Sequence, residues 1–311
     1  MISALFAIDR NTPVIIQGIT GRMGRRHAAL MRAYGTNIVG GTSARAGGIA
    51  ETPVPVFATC GEAAAATGAQ ASVVMVPPED VLAAASEAIA AGIGVVVTVA
   101  EGVPVHDALK LKALADASGT VWIGPSTPGM ARPGIVKLGF LPDISLNPGD
   151  WALLTKSGTL SYEVGYRLAA RGLGQSIWIG VGGEVVKGVR FADLVAPLAA
   201  DPATRGILLV GEVGGTEEEE FAAALIRHRF TKPVLALLAG RESKQGVAMG
   251  HAGALTFGET GTLSSKRDRL EAAGAEVFFS LDALAARAAA LAPSSNQDQS
   301  EERAHGRPAA G

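Results

Sequence analysis

The chain has 311 residues, of which 48% are hydrophobic and 18% are charged, and its formal net charge is −2. This length allows two domains of about 150 residues each. The small net charge gives no electrostatic reason to expect nucleic acid or an anionic membrane as a partner. No apolar run reaches the roughly 18 residues that a membrane-spanning helix needs, so the composition predicts a soluble protein.

The cysteine content points to a reducing compartment. Cys60 is the single cysteine, so no intrachain disulfide can form and a cytoplasmic location is expected. It stands just before a predicted helix at 62–67 and has no histidine near it in the sequence. A catalytic role for this thiol is therefore disfavoured.

The N-terminal part opens with a pattern typical of phosphate binding. A β-branched strand at 14–17 runs into a glycine-rich turn at 18–24, and a helix at 25–34 and a strand at 37–39 follow. Such a turn presents backbone N–H groups to a phosphate at the helix N-terminus. A dinucleotide site would carry an acid about 20 residues after the glycines, but none appears before Glu51, so NAD is disfavoured.

Basic residues around this turn indicate a ligand with several phosphates, although a solvated basic face is the simpler alternative. They are Arg22, Arg25, Arg26 and Arg45.

The alternation of strand and helix continues along the chain. Apolar runs predict strands at 72–76, 95–99, 121–123, 151–154, 176–181, 206–210, 234–238 and 276–279. Helices are predicted at 78–91, 104–117, 158–171, 191–199, 217–229, 265–273 and 281–291. A Pro/Gly-rich passage at 124–149 is interpreted as a junction, and the Ser/Gln/Glu/Pro-rich end as a disordered tail. The predicted domains are 1–125, 126–292 and the tail 293–311.

Three features of the second unit converge on one kind of chemistry. His251 lies in a glycine loop, Glu212 ends a predicted strand, and residues 157–159 (Ser-Gly-Thr) open a helix as an anion site. A carboxylate that accepts the Nδ1 proton would leave Nε2 as a neutral nucleophile. Taken singly, the histidine and the glutamate could be ordinary turn residues, and residues 157–159 could be a plain N-cap. Together they indicate a histidine that becomes phosphorylated.

The sequence resembles the α subunit of succinyl-CoA synthetase and its relatives, the nucleoside-diphosphate-forming acid–CoA ligases. The resemblance covers about residues 12–292, and its most specific motif is Met-Gly-His-Ala-Gly-Ala at 249–254. Gly-Glu-Val-Gly-Gly at 211–215, Ser-Gly-Thr-Leu at 157–160 and the Thr-Gly turn at 20–21 also match, as do Gly-Pro at 124–125 and Thr-Pro-Gly at 127–129.

The resemblance implies an α/β fold, with a Rossmann-like CoA-binding domain followed by a flavodoxin-like, doubly wound parallel-sheet domain. It implies that His251 is the phosphohistidine, that Glu212 orients it, and that Ser157, Gly158 and Thr159 hold phosphate. CoA contacts are expected at Thr20, Gly21, Arg22, Met23, Gly24, Arg45, Val76, Pro77, Thr98 and Glu101.

The resemblance also implies a separate β subunit. That ATP-grasp partner would carry ATP or GTP with its Mg²⁺, in an αβ or α2β2 assembly, and no metal site is expected on this chain. ATP or GTP would phosphorylate His251, the phosphoryl group would pass to a small carboxylic acid, and CoA thiolate would attack the acyl phosphate.

Departures from the family pattern leave the acid open. Ala46 stands where a lysine is usual, Ser126 where Asn is usual and Ala248 where a basic residue is usual, and 182–186 reads Gly-Gly-Glu-Val-Val instead of Gly-Gly-Asp-Pro-Ile. Succinate is the first expectation, and malate or another dicarboxylate or sulfo-acid is the alternative. The non-ligase alternatives are a nicotinamide-dependent reductase and a CoA-binding regulatory protein.

Overall fold

The computed structural model describes residues 2–43, 52–240, 251–256 and 259–292. These residues form two α/β units, each built around its own sheet. The predicted α/β class is confirmed. The expected tail, 293–311, lies outside the described residues.

The N-terminal unit is a parallel sheet with the strand order of a Rossmann fold. Its strands are β1 (Val14–Gln17), β2 (Ile38–Thr42), β3 (Val56–Phe57), β4 (Ala71–Val74), β5 (Val95–Thr98) and β6 (Val121–Ile123). They lie in the order β3-β2-β1-β4-β5-β6, and every pair is parallel. The strand order reverses between β1 and β4, which is where such sheets bind ligands at the carboxyl ends of their strands.

Helices connect these strands and cover the sheet. They are α1 (Ala4–Ala7), α2 (Arg22–Tyr34), α3 (Cys60–Thr67), α4 (Val81–Ala90) and α5 (Val105–Ser118). All four residues of β1, of β4 and of β5 are buried, as expected for strands with helices on both faces.

The second unit has a larger, mixed sheet. Its strands are β7 (Gly129–Arg132), β8 (Val136–Gly139), β9 (Pro148–Thr155), β10 (Gln175–Gly180), β11 (Gly206–Glu212), β12 (Val234–Ala239) and β13 (Glu276–Phe278). The order is β13-β12-β11-β9-β10-β7-β8. The five strands β9 to β13 are parallel in the flavodoxin-like order, and β7 and β8 form an antiparallel hairpin at the β10 edge.

The helices of this unit are α6 (Gly158–Ala169), α7 (Phe191–Ala200), α8 (Glu217–Arg227), α9 (Leu263–Ala272) and α10 (Leu281–Ala290). They agree with the predicted helices to within a few residues at each end. No helix among the described residues is both long enough and apolar enough to cross a bilayer.

The sequence does not predict the short helix α1, the strand β3 or the hairpin strands β7 and β8. The hairpin lies inside the Pro/Gly-rich passage that the sequence indicates only as a junction. Each strand has four residues, too few for an alternating pattern to stand out.

The hairpin ties the two units together. The Thr36 hydroxyl after α2 donates to the carbonyl of Lys137 in β8 at 2.8 Å, and the Gly134 amide donates to the Tyr34 hydroxyl at 2.9 Å. The guanidinium of Arg132 donates to the carbonyls of Phe6, within α1, and Ile8, just after it, both at 3.0 Å. The helix that follows the first glycine turn is therefore anchored to the second sheet.

Cys60 is buried at the start of α3. Burial, together with the nearby Glu87 carboxylate, raises the pKa of the thiol to about 12. The thiol therefore stays protonated at neutral pH, and it is not suited to nucleophilic chemistry.

Candidate functional site

A histidine and a glutamate predicted to act together are in direct contact. The Nδ1 atom of His251 lies 2.9 Å and 2.8 Å from the two carboxylate oxygens of Glu212. Glu212 is the last residue of β11, and its side chain is 14% exposed, compared with 27% for His251. In this contact Nδ1 of the imidazole donates its hydrogen to Glu212. The other ring nitrogen, Nε2, has no part in the contact.

Neighbouring charges set the protonation of the imidazole. The hydrogen bond to Glu212 raises the pKa of His251 above 6.5, and it outweighs the effect of burial. The charge of Glu101 adds to the rise in this pKa, whereas the charge of Lys156 opposes it. Three strand ends, those of β5, β9 and β11, thus contribute a charged residue to the surroundings of His251.

The backbone of Glu212 is held on both sides by buried charged groups. Its amide donates to Oε1 of Glu218 at 3.1 Å, and its carbonyl accepts from Nζ of Lys266 at 2.6 Å. Lys266 also donates to the carbonyl of Gly214 and to the Glu218 carboxylate, so its three N–H groups have three acceptors. The side chains of Glu218 and Lys266 are both 0% exposed.

Lys156 completes this buried cluster. It follows the last residue of β9, and its Nζ lies 2.8 Å from Glu218 and 3.9 Å from Glu212. Burial alone would raise the pKa of Glu218, but Lys156 and Lys266 lower it to about 2. Glu218 is therefore ionised at any pH at which the protein functions, with a lysine on each of its oxygens.

Sequence reasoning does not identify Lys156, Glu218 or Lys266. The acidic run at 217–220 has the pattern of an exposed first helical turn, which the helix dipole favours. A signal was nonetheless present, because Lys156 directly precedes the predicted anion site at 157–159.

A cavity of about 110 Å³ lies beside Glu212 at the carboxyl ends of the strands. It is lined by Lys156, Gly183, Glu184, Val185, Lys187, Arg190, Glu212, Gly215, Thr216, Glu217 and Gly253. Lys187 is paired inside it with Glu217 at 2.7 Å.

The predicted phosphate site opens α6 at the same edge of the sheet. Ser157 is the N-cap, and its hydroxyl accepts from the Leu160 amide at 3.4 Å. Gly158 is the first helical residue, and Thr159 is exposed. Because β9 and β11 are neighbours, with Thr155 paired to Val210, this N-terminus and Glu212 lie at the same ends of adjacent strands.

The histidine loop is hydrogen-bonded to the first unit through a series of backbone contacts. The Gly253 amide donates to the Gly183 carbonyl at 3.0 Å, and the Gly183 amide donates to the Ser126 carbonyl at 3.3 Å. The Ser126 amide in turn donates to the Ala100 carbonyl, after β5, at 2.8 Å. The histidine loop is therefore joined through Gly183 and Ser126 to the segment that follows β5.

The backbone of the glycine turn after β1 packs too closely against its neighbours to admit side chains at Gly18 and Gly24. Gly18 has φ +77°, and a Cβ on it would lie 2.6 Å from the carbonyl oxygen of Met75 after β4. A Cβ on Gly24 would lie 2.2 Å from the Gly18 carbonyl oxygen. Gly21 caps α2 without a side-chain hydrogen bond, so the first turn of this helix faces the crevice with its backbone N–H groups. These residues fit a phosphate-bearing ligand.

The other predicted CoA contacts are distributed around this turn. Thr20 shares a hydrogen bond with Ser43 at 2.7 Å, while Arg22 and Met23 are exposed at the start of α2. Val76 and Pro77 follow β4, and Glu101 is exposed after β5.

Two predicted CoA contacts stand apart from the rest. Thr98 is fully buried, and its hydroxyl accepts from the Trp122 indole at 2.8 Å, so this side chain supports the sheet from inside. Arg45 lies outside the described residues, as do Ala46, Ala248, Met249 and Gly250.

The chain matches two families of known proteins. Residues 9–102 match the CoA binding domain family, and residues 154–276 match the CoA-ligase family. Glu212 and His251 both fall within the second match.

Two relatives are similar to this chain over most of their length. The chain is 41% identical to the succinate–CoA ligase [ADP-forming] subunit alpha-2 of Trichomonas vaginalis, over 88% of this chain and 89% of the relative. It is 37% identical to the malate–CoA ligase subunit alpha of Methylorubrum extorquens, over 87% of this chain and 92% of the relative.

The structure of an ATP citrate lyase from Methanosaeta concilii, in complex with (3S)-citryl-CoA, matches with a TM-score of 0.81 at 25% identity. The match covers 97% of this chain and 52% of the lyase chain, so this chain spans about half the length of the lyase. On the identities to the two ligase subunits, the chain belongs to the succinate–CoA ligase α-subunit family, which includes the malate–CoA ligase relative.

Proposed function

We propose that this chain is the α subunit of an acid–CoA ligase that forms a CoA thioester from a small carboxylic acid and releases a nucleoside diphosphate. The contact between His251 and Glu212 is the observation that carries the proposal. Succinate is the proposed acid, because the succinate–CoA ligase relatives reach 41% and 42% identity, and these relatives are described as ADP-forming, which favours ATP over GTP.

His251 is the proposed nucleophile. Its Nδ1–H donates to Glu212, so the lone pair of Nε2 attacks the terminal phosphorus of the nucleotide, and the bond to the departing diphosphate breaks. The phosphoryl group then passes from Nε2 to a carboxylate oxygen of the acid. Attack of the CoA sulfur on the acyl phosphate releases phosphate and forms the thioester. A covalent phosphohistidine intermediate replaces one difficult step by easier ones, which is how covalent catalysis usually accelerates a reaction.

Backbone groups at the sheet edge are proposed to receive the phosphate charge. Ser157, Gly158 and Thr159 open α6 at the same ends of the strands as Glu212. N–H groups at a helix N-terminus stabilise transferred phosphoryl groups without reorganisation.

CoA is proposed to bind the first unit across the β1–β4 switch point. The turn from Thr20 to Gly24 would hold one phosphate group, Arg22 and Arg45 would meet the remaining charge, and Val76, Pro77 and Glu101 would line the crevice. On this assignment residues 1–125 are the CoA-binding domain and residues 126–292 the ligase domain.

A β subunit is proposed as the partner, because the relatives are α subunits of succinate–CoA and malate–CoA ligases. We place the nucleotide and its Mg²⁺ on an ATP-grasp fold in that partner, in an αβ or α2β2 complex, and we place the complex in the cytoplasm.

The test is labelled-phosphate transfer in the complex with the β subunit. Incubation with γ-labelled ATP should give a protein-bound label that is stable to base and lost in acid, and His251→Asn should abolish it. A label of this kind that persists in His251→Asn would contradict the proposal.

Malate is a second candidate acid. The malate–CoA ligase relative supports it, and so do the altered sequences at Ser126 and at 182–186. Initial rates of thioester formation with succinate and malate, each at several concentrations, compare kcat/KM directly and decide between them.

A further inference from the structure

We infer that Lys156 is a positioning residue whose buried charge, beside Glu212, opposes protonation of His251, so that Nε2 is free to accept a phosphoryl group. The inference deepens the proposed function, and it rests on that function for the phosphoryl step only. The effect on the imidazole can be measured without any partner subunit.

The position of Lys156 supports an effect through charge. Its Nζ makes hydrogen bonds to Glu218 at 2.8 Å and to the Gly214 carbonyl at 3.4 Å, whereas Glu212 lies at 3.9 Å. The last distance is too long for a hydrogen bond but within the range of an ion pair. With the side chain only 5% exposed, little water screens this charge from Glu212.

The charges around the pair balance with Lys156 present. Glu218 lies between Lys156 and Lys266, so these three groups carry one net positive charge, and Glu212 carries the compensating negative charge. Among the residues that the structure describes, the charged groups that act on His251 are Glu212 from β11, Glu101 after β5 and Lys156 after β9. Without Lys156 two carboxylates face the imidazole, and the imidazole would take up a proton to compensate them.

Protonation would remove the nucleophile. An imidazolium has hydrogen on both ring nitrogens, so Nε2 has no lone pair to attack phosphorus. A charge at Lys156 therefore sets the pH above which His251 can react.

The experiment is an NMR pH titration of the full chain with isotope-labelled histidine. The chain has five histidines, and the loss of one signal in His251→Asn assigns the resonance. Lys156→Gln keeps a donor for Glu218 but removes the charge, and we expect the His251 midpoint to rise by about one pH unit. Lys156→Arg keeps the charge and should titrate as the wild type does.

Lys187→Gln is the matched control. The side chain of Lys187 is also 5% exposed and lines the same cavity, but it pairs with Glu217. No shift of the His251 midpoint is expected in this variant. Should Lys156→Gln fail the thermal-unfolding check, Lys156→Met removes the same charge with an apolar chain of similar size.

An unchanged midpoint in the folded Lys156→Gln or Lys156→Met chain overturns the inference, and so does an equal rise in Lys187→Gln. In the complex with its partner, the acid limb of His251 phosphorylation should move to higher pH in Lys156→Gln by the same amount. Failure of the wild-type complex to form phosphohistidine would sink the proposed function instead, and would leave the NMR comparison valid.

Discussion

Gly183 lies against the imidazole of His251, and a Cβ built on this glycine would approach Cγ of the ring to 2.8 Å. The same glycine accepts a hydrogen bond from Gly253 and donates one to Ser126. It therefore contacts the histidine loop on one side and Ser126 on the other. The ring is placed by this contact as well as by Glu212.

Gly183→Ala should slow the phosphorylation of His251 by about 10²-fold, the cost of displacing a reacting group by about 1 Å. The methyl group would push the ring away, because the nearby atoms belong to the ring and its Cβ, not to a flexible end. Rapid-quench measurement of phosphohistidine formation checks the rate.

Gly94→Ala serves as the control for this substitution. A Cβ on Gly94 would meet only the Gln70 carbonyl, at 3.8 Å, which is ordinary contact. We expect a wild-type rate, and unaltered phosphorylation in Gly183→Ala would show that the loop accommodates the methyl group.

Glu212→Gln should slow phosphorylation by about 10²-fold or more while leaving the affinity for CoA unchanged. A glutamine amide can donate to Nδ1, which would select the tautomer with hydrogen on Nε2 and block the nucleophile. Single-turnover labelling and CoA titration measure the two quantities separately. Glu220→Gln, at a half-exposed position on α8, is the control and should react normally.

The pH dependence of phosphorylation follows from the shifted pKa of His251. The hydrogen bond to Glu212 raises this pKa above 6.5, and only the neutral ring reacts. The rate should therefore fall as the pH drops through a midpoint above 6.5. In Glu212→Gln the midpoint should move to lower pH, since the main cause of the rise is gone. A profile with its acid midpoint below 6.5 in the wild type would contradict this assignment.

The sequence predicts the parts of the site that depend on local pattern. Apolar runs locate the parallel strands, and glycine-rich turns after those runs contain Glu212 and His251, which are in contact in the structure. The predicted CoA residues remain predictions, and Thr98 shows why strand ends are difficult to interpret. Side chains alternate between the two faces of a strand, and this one points to Trp122.

The buried charges could not be predicted, because they depend on contacts between distant segments. Glu218 meets Lys156 and Lys266 only when β9, α8 and α9 are packed together. In sequence, a helix that opens with four glutamates is indistinguishable from an exposed one, yet Glu217 and Glu218 are buried. The hairpin of β7 and β8 is not predicted for a different reason, since each strand has four residues, too few for an alternating pattern to stand out.

Lys266→Met should lower the free energy of unfolding by about 3–5 kcal/mol, the usual cost of removing one partner from a buried ion pair. The substitution leaves the carbonyls of Glu212 and Gly214 without their donor. Urea unfolding followed by circular dichroism measures the loss. Lys110→Met is the control: this lysine is 66% exposed and pairs with Asp107 at 3.5 Å, so a change within about 1 kcal/mol is expected. Equal effects in the two variants would mean that the buried cluster adds nothing to stability.

Arg22→Ala and Arg45→Ala should each weaken CoA binding by roughly 1–3 kcal/mol, the scale of a charge-assisted hydrogen bond. CoA carries a 3′-phosphate and a diphosphate, and the backbone N–H groups at the start of α2 can meet only part of that charge. Arg22 is exposed at the first residue of α2, where its guanidinium can reach a ligand in the turn, while Arg45 follows β2 in the sequence.

Calorimetric titration of the full chain with CoA and with dephospho-CoA separates the two arginines. Dephospho-CoA lacks the 3′-phosphate, so the arginine that binds this group adds nothing to the affinity for dephospho-CoA. The variant at that arginine and the wild type should therefore bind dephospho-CoA with similar affinity. Arg227→Ala, at the exposed end of α8, is the control and should bind both ligands as the wild type does. Unchanged CoA dissociation constants in both Arg22→Ala and Arg45→Ala would mean that other groups neutralise the phosphates, because a guanidinium in contact with a phosphate cannot be removed without loss of affinity.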